Sequence, residues 1–224
     1  MRRLNPFFLL LILLSAYCAT AQSSPVRIGI IGDSITDEYQ SPGEAWDGAR
    51  NWLEHLVLSN RVDAGAWQMN GEPRRTGYTQ NWARYGATTE SAISAGQHTG
   101  LAGQGVDLAV IWIGSNDYAY YSGASSAYGL IYNSVIDDSG LAAKEAQIIS
   151  RITTMLAAVK TGNTRAVLVT INDWGNSLAV IAQFPNATKR ARVTASVNRV
   201  NAQISALATA PVSYTHLRAH ETKA

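Results

Sequence analysis

Residues 28–37, Ile-Gly-Ile-Ile-Gly-Asp-Ser-Ile-Thr-Asp, constrain this chain more than any other stretch. They begin as a continuous apolar run, which is typical of a strand buried on both faces of a parallel sheet. The run ends at Gly32-Asp33-Ser34, where the glycine allows the backbone to turn sharply. Open α/β sheets form their ligand crevice at the carboxyl ends of such strands. Ser34 is therefore either a helix N-cap or a nucleophile, and the choice depends on partners elsewhere in the chain.

The length and charge of the chain indicate one globular domain with no affinity for polyanions. Its 224 residues are enough for a substantial core. The chain has 18 basic and 16 acidic residues, of which four basic and one acidic belong to the two terminal segments described below. The remainder has 14 basic and 15 acidic residues, a net charge of −1. This balance gives no indication of nucleic acid or an anionic membrane surface as a partner.

Residues 1–21 have the pattern of a secretory signal peptide. Arg2 and Arg3 form a positive start, residues 7–14 are apolar, and Ala19-Thr20-Ala21 offers a cleavage site. The apolar part is too short for a stable membrane anchor. We therefore expect a secreted or periplasmic protein, cleaved near Ala21. Cys18 is the only cysteine, so the mature chain can use neither disulfides nor a cysteine nucleophile.

The rest of the chain alternates between apolar runs and amphipathic segments. The patterns predict strands at 26–31, 62–66, 106–113 and 165–171, and helices at 51–60, 91–97, 141–160 and 188–207. Such alternation predicts an α/β fold with a mostly parallel sheet and right-handed crossovers. Residues 68–80 are predicted to be a loop, and the tyrosine-rich residues 118–138 a loop or lid.

The pattern also predicts a short strand that begins at Asn81 and runs into a turn. Three of the predicted strands thus end in polar turns, at 32–34, 81–86 and 114–117. In a parallel sheet these turns lie along one edge. Acyl transfer needs a nucleophile there and donors for the oxygen that becomes negative. The backbone N–H groups of Ser34 and Gly86 and the side-chain amide of Asn116 would supply three such donors.

These three turns carry a resemblance to a known family. Gly32-Asp33-Ser34 resembles block I of the SGNH hydrolases, also called GDSL esterases. Asn81-x-Ala83-x-x-Gly86 resembles block II, and Gly114-x-Asn116-Asp117 resembles block III. The order and spacing agree, and the resemblance extends over about residues 26–207.

The resemblance implies both a fold and an activity. The expected fold is a flavodoxin-like three-layer α/β/α sandwich. Ser34 is implied to be the nucleophile, with Gly86 and Asn116 completing the oxyanion hole. The expected substrates are small-molecule or glycan esters, a class that includes lipid esters, acetylated sugars and thioesters. No cofactor or metal is expected.

One motif of the family is missing. Its block V, Asp-x-x-His, supplies the base and its orienting acid near the C-terminus, and no Asp-x-x-His occurs in this chain. We therefore predict that the catalytic His and Asp are absent. His55 and His98 are expected to be ordinary surface or groove residues.

The remaining two histidines lie in a tail, residues 212–224, that resembles translated sequencing adapter. We predict that this tail is not native. Residues 22–211 would then be an incomplete SGNH hydrolase domain, truncated before its last strand and helix, and an inactive fragment of an esterase. The alternative is a genuine C-terminal helix that carries His216 and His220 four residues apart.

Further residues near the motifs have two interpretations. Asp33 and Asp117 either support turns or contact substrate, and turn support is the default. Tyr118 and the nearby Tyr120, Tyr121, Tyr128 and Tyr132 form either a substrate wall or a loop that packs its own rings. Because aromatic rings stack well on sugar faces, a carbohydrate ester is slightly favoured as substrate.

Other functions fit the sequence less well. The main alternative is a catalytically inactive SGNH-fold module that binds carbohydrate. A nucleotide-binding protein is disfavoured because residues 29–34 have neither Gly-x-Gly-x-x-Gly nor the Walker lysine. An α/β-hydrolase is disfavoured because Gly32-x-Ser34-x-Thr36 is not Gly-x-Ser-x-Gly.

Overall fold

Short strands and helices alternate along the part of the chain that the computed structural model describes, which is residues 24–38, 40–41, 44–45, 49–71, 74–160, 162–209 and 214–217. The strands are β1 (Val26–Gly32), β2 (Gln40–Ser41), β3 (Glu44–Ala45), β4 (Val62–Asp63), β5 (Trp67–Met69), β6 (Thr76–Tyr78), β7 (Leu108–Trp112), β8 (Arg165–Val169) and β9 (Tyr214–Leu217). The α-helices are α1 (Trp52–Leu58), α2 (Thr89–Ser94), α3 (Gln97–Leu101), α4 (Ala127–Tyr132), α5 (Asp138–Val159), α6 (Leu178–Gln183) and α7 (Ala187–Thr209). The predicted signal peptide at 1–21 lies outside the described residues.

A parallel sheet with the strand order β4-β1-β7-β8-β9 forms the centre of the fold. Every neighbouring pair in it is parallel. β1 and β7 pair over five residues, and the last pair in register is Gly32 with Trp112. The ends of these two strands are therefore adjacent, which brings the first and third motifs to one edge of the sheet. The predicted α/β fold with a mostly parallel sheet is confirmed.

Alternate residues of the central strands face two separate apolar cores. Ile31 and Ile111 face a core that includes residues of α2, α3, α5 and α7. Ile30 and Val110 face the opposite side, where they pack with Leu53 of α1. This alternation follows from the two-residue repeat of a strand, and both faces are apolar because helices cover both. The helices and sheet thus form three layers.

Polar residues fix where several helices begin. The Asn51 side chain accepts a hydrogen bond from the Glu54 amide, and the Glu54 carboxylate accepts one from the Asn51 amide, which is a capping box. Thr88 and Ser91 cap α2 in the same reciprocal way. Asp137 caps α5 by accepting a bond from the Gly140 amide. The helices predicted at 51–60, 141–160 and 188–207 are found with ends shifted by one to three residues.

Three segments differ from the prediction. The predicted loop at 68–80 contains the antiparallel hairpin β5–β6, in which Trp67 and Tyr78 contact edge to face at 4.9 Å. The predicted loop or lid at 118–138 contains a 3₁₀ turn at Gly123–Ser125 and helix α4. Helix α6 lies in a region for which no element was predicted. All three elements are too short to produce a clear periodicity in the sequence.

The chain from 210 onward is described only at the backbone of Tyr214–Leu217. This segment is a strand, β9, that pairs in parallel with β8, with His216 opposite Leu168. The helical alternative for the tail is therefore not found across these four residues. In the described part of the chain, none of the helices has the length and apolar character needed to cross a membrane.

Candidate active site

Ser34 lies in a tight turn that directly follows β1. The amides of Thr36 and Asp37 donate to the Asp33 carbonyl oxygen at 3.1 and 3.0 Å. Ser34 is half-buried in this turn. Within the described residues, its hydroxyl group has no hydrogen-bond partner among the side chains or the backbone. The hydroxyl is therefore free to react or to bind a ligand.

Asp33 supports this turn from inside. Its Oδ1 accepts a hydrogen bond from the Ile35 amide at 3.0 Å, and its side chain is 1% exposed. Its Oδ2 is buried without a partner in the described part of the structure. Burial of this carboxylate raises the pKa of Asp33 to about 6.

The second motif runs along the free edge of β1, beyond the end of β4. The Trp82 amide donates to the Ile30 carbonyl oxygen at 3.0 Å, and the Arg84 amide donates to that of Gly32 at 3.1 Å. Asn81 is fully buried, and its Nδ2 donates to the Thr36 carbonyl oxygen at 2.7 Å. Residues 81–84 are therefore bonded both to β1 and to the turn that follows it.

Gly86 lies in an exposed loop that continues from this segment. Its φ of +72° is in the left-handed region, and the Ala87 amide donates to the Arg84 carbonyl oxygen at 3.0 Å. A Cβ at Gly86 would meet no atom within 4 Å. The backbone conformation, and not a lack of space, thus favours glycine here.

Asn116 lies in the 3₁₀ turn Ser115–Tyr118, immediately after β7. Its Nδ2 donates one hydrogen bond to the carbonyl oxygen of Ala87, the residue after Gly86, at 3.0 Å. A primary amide nitrogen carries two hydrogens, so one N–H group of Asn116 remains for a ligand. The same contact joins the third motif to the second.

Asp117 holds the beginning of α2. Its two carboxylate oxygens accept hydrogen bonds from the Thr89 amide and the Thr89 hydroxyl, both at 2.8 Å. Burial raises the pKa of Asp117, and the bonds from Thr89 partly offset the increase. Both of its oxygens are thus turned towards Thr89.

The tyrosines of the predicted loop divide into two groups. Tyr118, Tyr128 and Tyr132 are buried in the core, and the Tyr118 hydroxyl bonds to that of Ser196 at 2.8 Å. This burial favours loop packing for Tyr118 over contact with substrate. Tyr120 and Tyr121 remain partly exposed, and their ring centroids lie 4.5 Å apart.

Two polar residues near the motifs were missed by the sequence analysis. The Gln97 side chain accepts a bond from the Gly32 amide at 3.1 Å and donates to its carbonyl oxygen at 3.2 Å. The Asp37 side chain, which is 6% exposed, contacts Arg75, Arg84 and the Tyr85 amide. No pattern in the sequence pointed to Gln97. Asp37 lies three residues after Ser34, where it resembles an ordinary carboxylate at the start of a helix.

The histidines do not reach the candidate nucleophile by a hydrogen bond within the described residues. His55 is exposed on α1, and His98 is half-buried on α3 with its Nδ1 unpartnered there. Of His216 only the backbone in β9 is described, and His220 lies outside the described residues. The described part of the chain thus contains a serine turn and adjacent donors, but no base bonded to the serine.

The profile of the GDSL-like Lipase/Acylhydrolase family matches residues 30–222. A sequence search of curated proteins finds no match. Among solved structures, a candidate acylhydrolase from Bacteroides fragilis NCTC 9343 is 16% identical, with a TM-score of 0.47 over 92% of this chain and 76% of the other. An extracellular lipase from Streptomyces rimosus is 19% identical, with a TM-score of 0.40 over 86% of this chain and 80% of the other.

The family profile spans all three motifs and most of the sequence. The match begins inside β1 and includes Ser34, Gly86 and Asn116. On this evidence the chain belongs to the GDSL-like lipase/acylhydrolase family.

Proposed function

We propose that this protein is a secreted serine esterase in which Ser34 is the nucleophile. Family membership supports an ester hydrolase, and the signal-like residues 1–21 support secretion. The observation that carries the proposal is the hydrogen bonding between the three motif segments. The bond from Arg84 to Gly32 joins the second motif to the first, two residues before Ser34. The bond from Asn116 to Ala87 joins the third motif to the second, one residue after Gly86.

In the proposed reaction the Ser34 Oγ attacks the ester carbonyl carbon while its proton passes to a base. The carbonyl oxygen becomes negative, and the amides of Ser34 and Gly86 and the free N–H of Asn116 stabilise it. Collapse of this intermediate expels the alcohol, which takes up the proton, and leaves an acyl group on Ser34. Water then hydrolyses the acyl enzyme in the same way. The chemistry requires no cofactor or metal.

We further propose that the base and its orienting acid come from an Asp-x-x-His of the native gene, and that residues 212–224 are foreign to it. Support comes from the resemblance of the tail to adapter sequence, and from the unpartnered hydroxyl of Ser34 among the described residues.

The nucleophile is tested by substitution. In the complete protein encoded by the native gene, we expect Ser34→Ala to lower the turnover of a short ester such as p-nitrophenyl acetate by at least about 10³-fold, because Ser34 is the group that forms the acyl enzyme. Ser94→Ala, which removes an exposed serine of α2, is the matched control and should leave turnover unchanged. Equal turnover by the two variants would reject Ser34 as the nucleophile.

The second candidate is a carbohydrate-binding module without catalysis. The free Ser34 hydroxyl and the half-exposed rings of Tyr120 and Tyr121 favour it as an alternative. Binding of an acetylated oligosaccharide with no release of acetate, by the wild type and by Ser34→Ala alike, would support the module and oppose the esterase.

A further inference from the structure

The carboxylate of Asp37 lies between the turn that carries Ser34 and the loop that carries Gly86. One of its oxygens accepts a hydrogen bond from the Tyr85 amide at 2.6 Å and contacts Arg75 at 2.7 Å. The other oxygen contacts Arg84 at 3.3 Å. All three partners lie outside the turn to which Asp37 belongs.

Asp37 is itself fixed relative to Ser34. Its amide donates to the Asp33 carbonyl oxygen at 3.0 Å, which closes the turn around Ser34. Tyr85, which donates to the carboxylate, directly precedes Gly86 in the chain. A single side chain thus connects the candidate nucleophile to the amide that is expected to bind the oxyanion.

Packing does little to hold Tyr85 and Gly86, whereas the next residue, Ala87, is buried in the core. The Tyr85 side chain is 68% exposed, and Gly86 has no side chain and is exposed too. Polar contacts hold the loop instead, with Asp37 bonded to Tyr85 on one side and Asn116 bonded to Ala87 on the other. Oxyanion donors must be placed to within a fraction of an ångström, so these contacts matter for catalysis.

We propose that Asp37 is a positioning residue of the oxyanion hole, because its carboxylate fixes the Tyr85–Gly86 peptide relative to Ser34. The expected effect of Asp37 on catalysis rests on the proposed esterase function. Its effect on the position of the Gly86 loop does not depend on that function. Burial raises the pKa of the Asp37 carboxyl group, and the Tyr85 amide and the two arginines partly offset this increase by stabilising the ionised form.

The test compares Asp37→Asn with Glu38→Gln. Glu38 is the matched control because it is the next residue and is equally buried at 4% exposure. Its carboxylate accepts a bond from the Tyr78 amide of β6 and interacts with Asn81, and it makes no bond to Tyr85 or Gly86. Both substitutions remove one buried negative charge and keep the side-chain shape. The amide signals of Tyr85 and Gly86 in ¹H–¹⁵N spectra report on the loop, and ester kinetics report on catalysis.

We expect Asp37→Asn to shift both amide signals and to accelerate hydrogen exchange at Tyr85 about tenfold, with neither change in Glu38→Gln. The kcat should fall about tenfold with KM within about twofold, less than the loss of about 10²-fold or more on removing an oxyanion donor. If Asp37→Asn does not fold, Asp37→Glu keeps the charge but displaces the carboxylate, and the same signals should shift.

Unchanged Tyr85 and Gly86 signals in a folded Asp37 variant would overturn the proposal, and so would an equal loss of kcat in Glu38→Gln. The kinetics are measured on the complete protein encoded by the native gene. If that protein hydrolyses no ester, the proposed function fails, and the amide signals alone then decide whether Asp37 positions the loop.

Discussion

Asp33 is a residue of the candidate site whose acidity is changed by burial. It neighbours the nucleophile, yet its carboxylate bonds to the Ile35 amide and serves the turn. Burial without a partner for Oδ2 raises its pKa to about 6, so the charged form is disfavoured in the native protein. The native state therefore binds more protons than the unfolded chain between about pH 4 and 6, and Asp33 lowers the free energy of unfolding as the pH rises through this window.

Removal of this charge should stabilise the protein at neutral pH. We expect Asp33→Asn to raise the free energy of unfolding at pH 7.5 by on the order of 1–3 kcal/mol, and the gain should shrink towards pH 4. Urea denaturation at both pH values measures it. Asp138→Asn, at an exposed aspartate, is the control and should show no such pH-dependent gain. A gain that is constant or larger at low pH would contradict the assignment of a raised pKa.

The sequence pointed to the candidate site residues that stand in motifs, but not to the residues whose side chains keep those motifs in place. Ser34, Gly86 and Asn116 stand in recognisable motifs at strand ends. The hydrogen bond between the Tyr85 amide and the Asp37 carboxylate could not be predicted, because the two residues lie 48 positions apart in the chain. The partner of a buried carboxylate follows from the packing of loops, which a local pattern does not encode.

At the scale of the elements, the Gln97 side chain joins α3 to β1 by making the two backbone hydrogen bonds that a neighbouring strand would otherwise make. Gln97, at the start of α3, is buried, and its amide bonds to both the N–H and the C=O of Gly32 at the end of β1. The backbone N–H of Gly32 would otherwise be buried without an acceptor, which is costly. This contact fixes the end of the strand from which the Ser34 turn begins.

Loss of the Gln97 contact should destabilise the fold. We expect Gln97→Met, which keeps the length but removes both hydrogen bonds, to lower the free energy of unfolding by about 2–3 kcal/mol. Gln104→Met is the control, since Gln104 makes one bond at a less buried site, and it should cost under about 1 kcal/mol. Equal losses, measured by chemical denaturation, would show that the Gly32 contact has no special weight.

Element length explains which parts of the fold the sequence could predict. The long helices α5 and α7 and the strands β1, β7 and β8 repeat their apolar pattern often enough to be recognised. The hairpin β5–β6 has three residues in each strand, and α4 and α6 have six residues each. Their formation depends on tertiary contacts, such as that of Trp67 with Tyr78.

On the scale of the whole molecule, a polar network that is buried at Tyr118, Ser196 and Glu145 and reaches the surface at Arg199 connects the candidate site to the two longest helices. The Tyr118 hydroxyl donates to Ser196 of α7 at 2.8 Å, and Ser196 donates to Glu145 of α5 at 2.6 Å. Arg199 completes the network with two bonds to Glu145, at 2.7 and 3.0 Å. The 3₁₀ turn that carries Asn116 is thereby attached to the helical layer, which accounts for the burial of Tyr118.

The proposal that residues 212–224 are foreign concerns the edge of the sheet at β9, and the gene sequence tests it. We expect the source gene, sequenced onward from the codon for Ala210, to diverge from residues 212–224 and to encode an Asp-x-x-His downstream. This result would supply the base that Ser34 lacks among the described residues. A reading frame that instead encodes the printed tail and then stops would refute the foreign-tail proposal and require tests of His216 and His220 as the base.

The central claim is that Ser34 is an activated nucleophile, and covalent labelling of the protein expressed from the verified gene tests it most directly. A phosphonofluoridate ester reacts with such a serine by forming an Oγ–P bond and releasing fluoride, while the hydroxyl proton is lost to solvent. Intact-protein mass spectrometry should find one phosphonyl group per chain, mapped to Ser34 and absent from Ser34→Ala. An unlabelled wild type, or equal labelling of Ser34→Ala, would contradict the account.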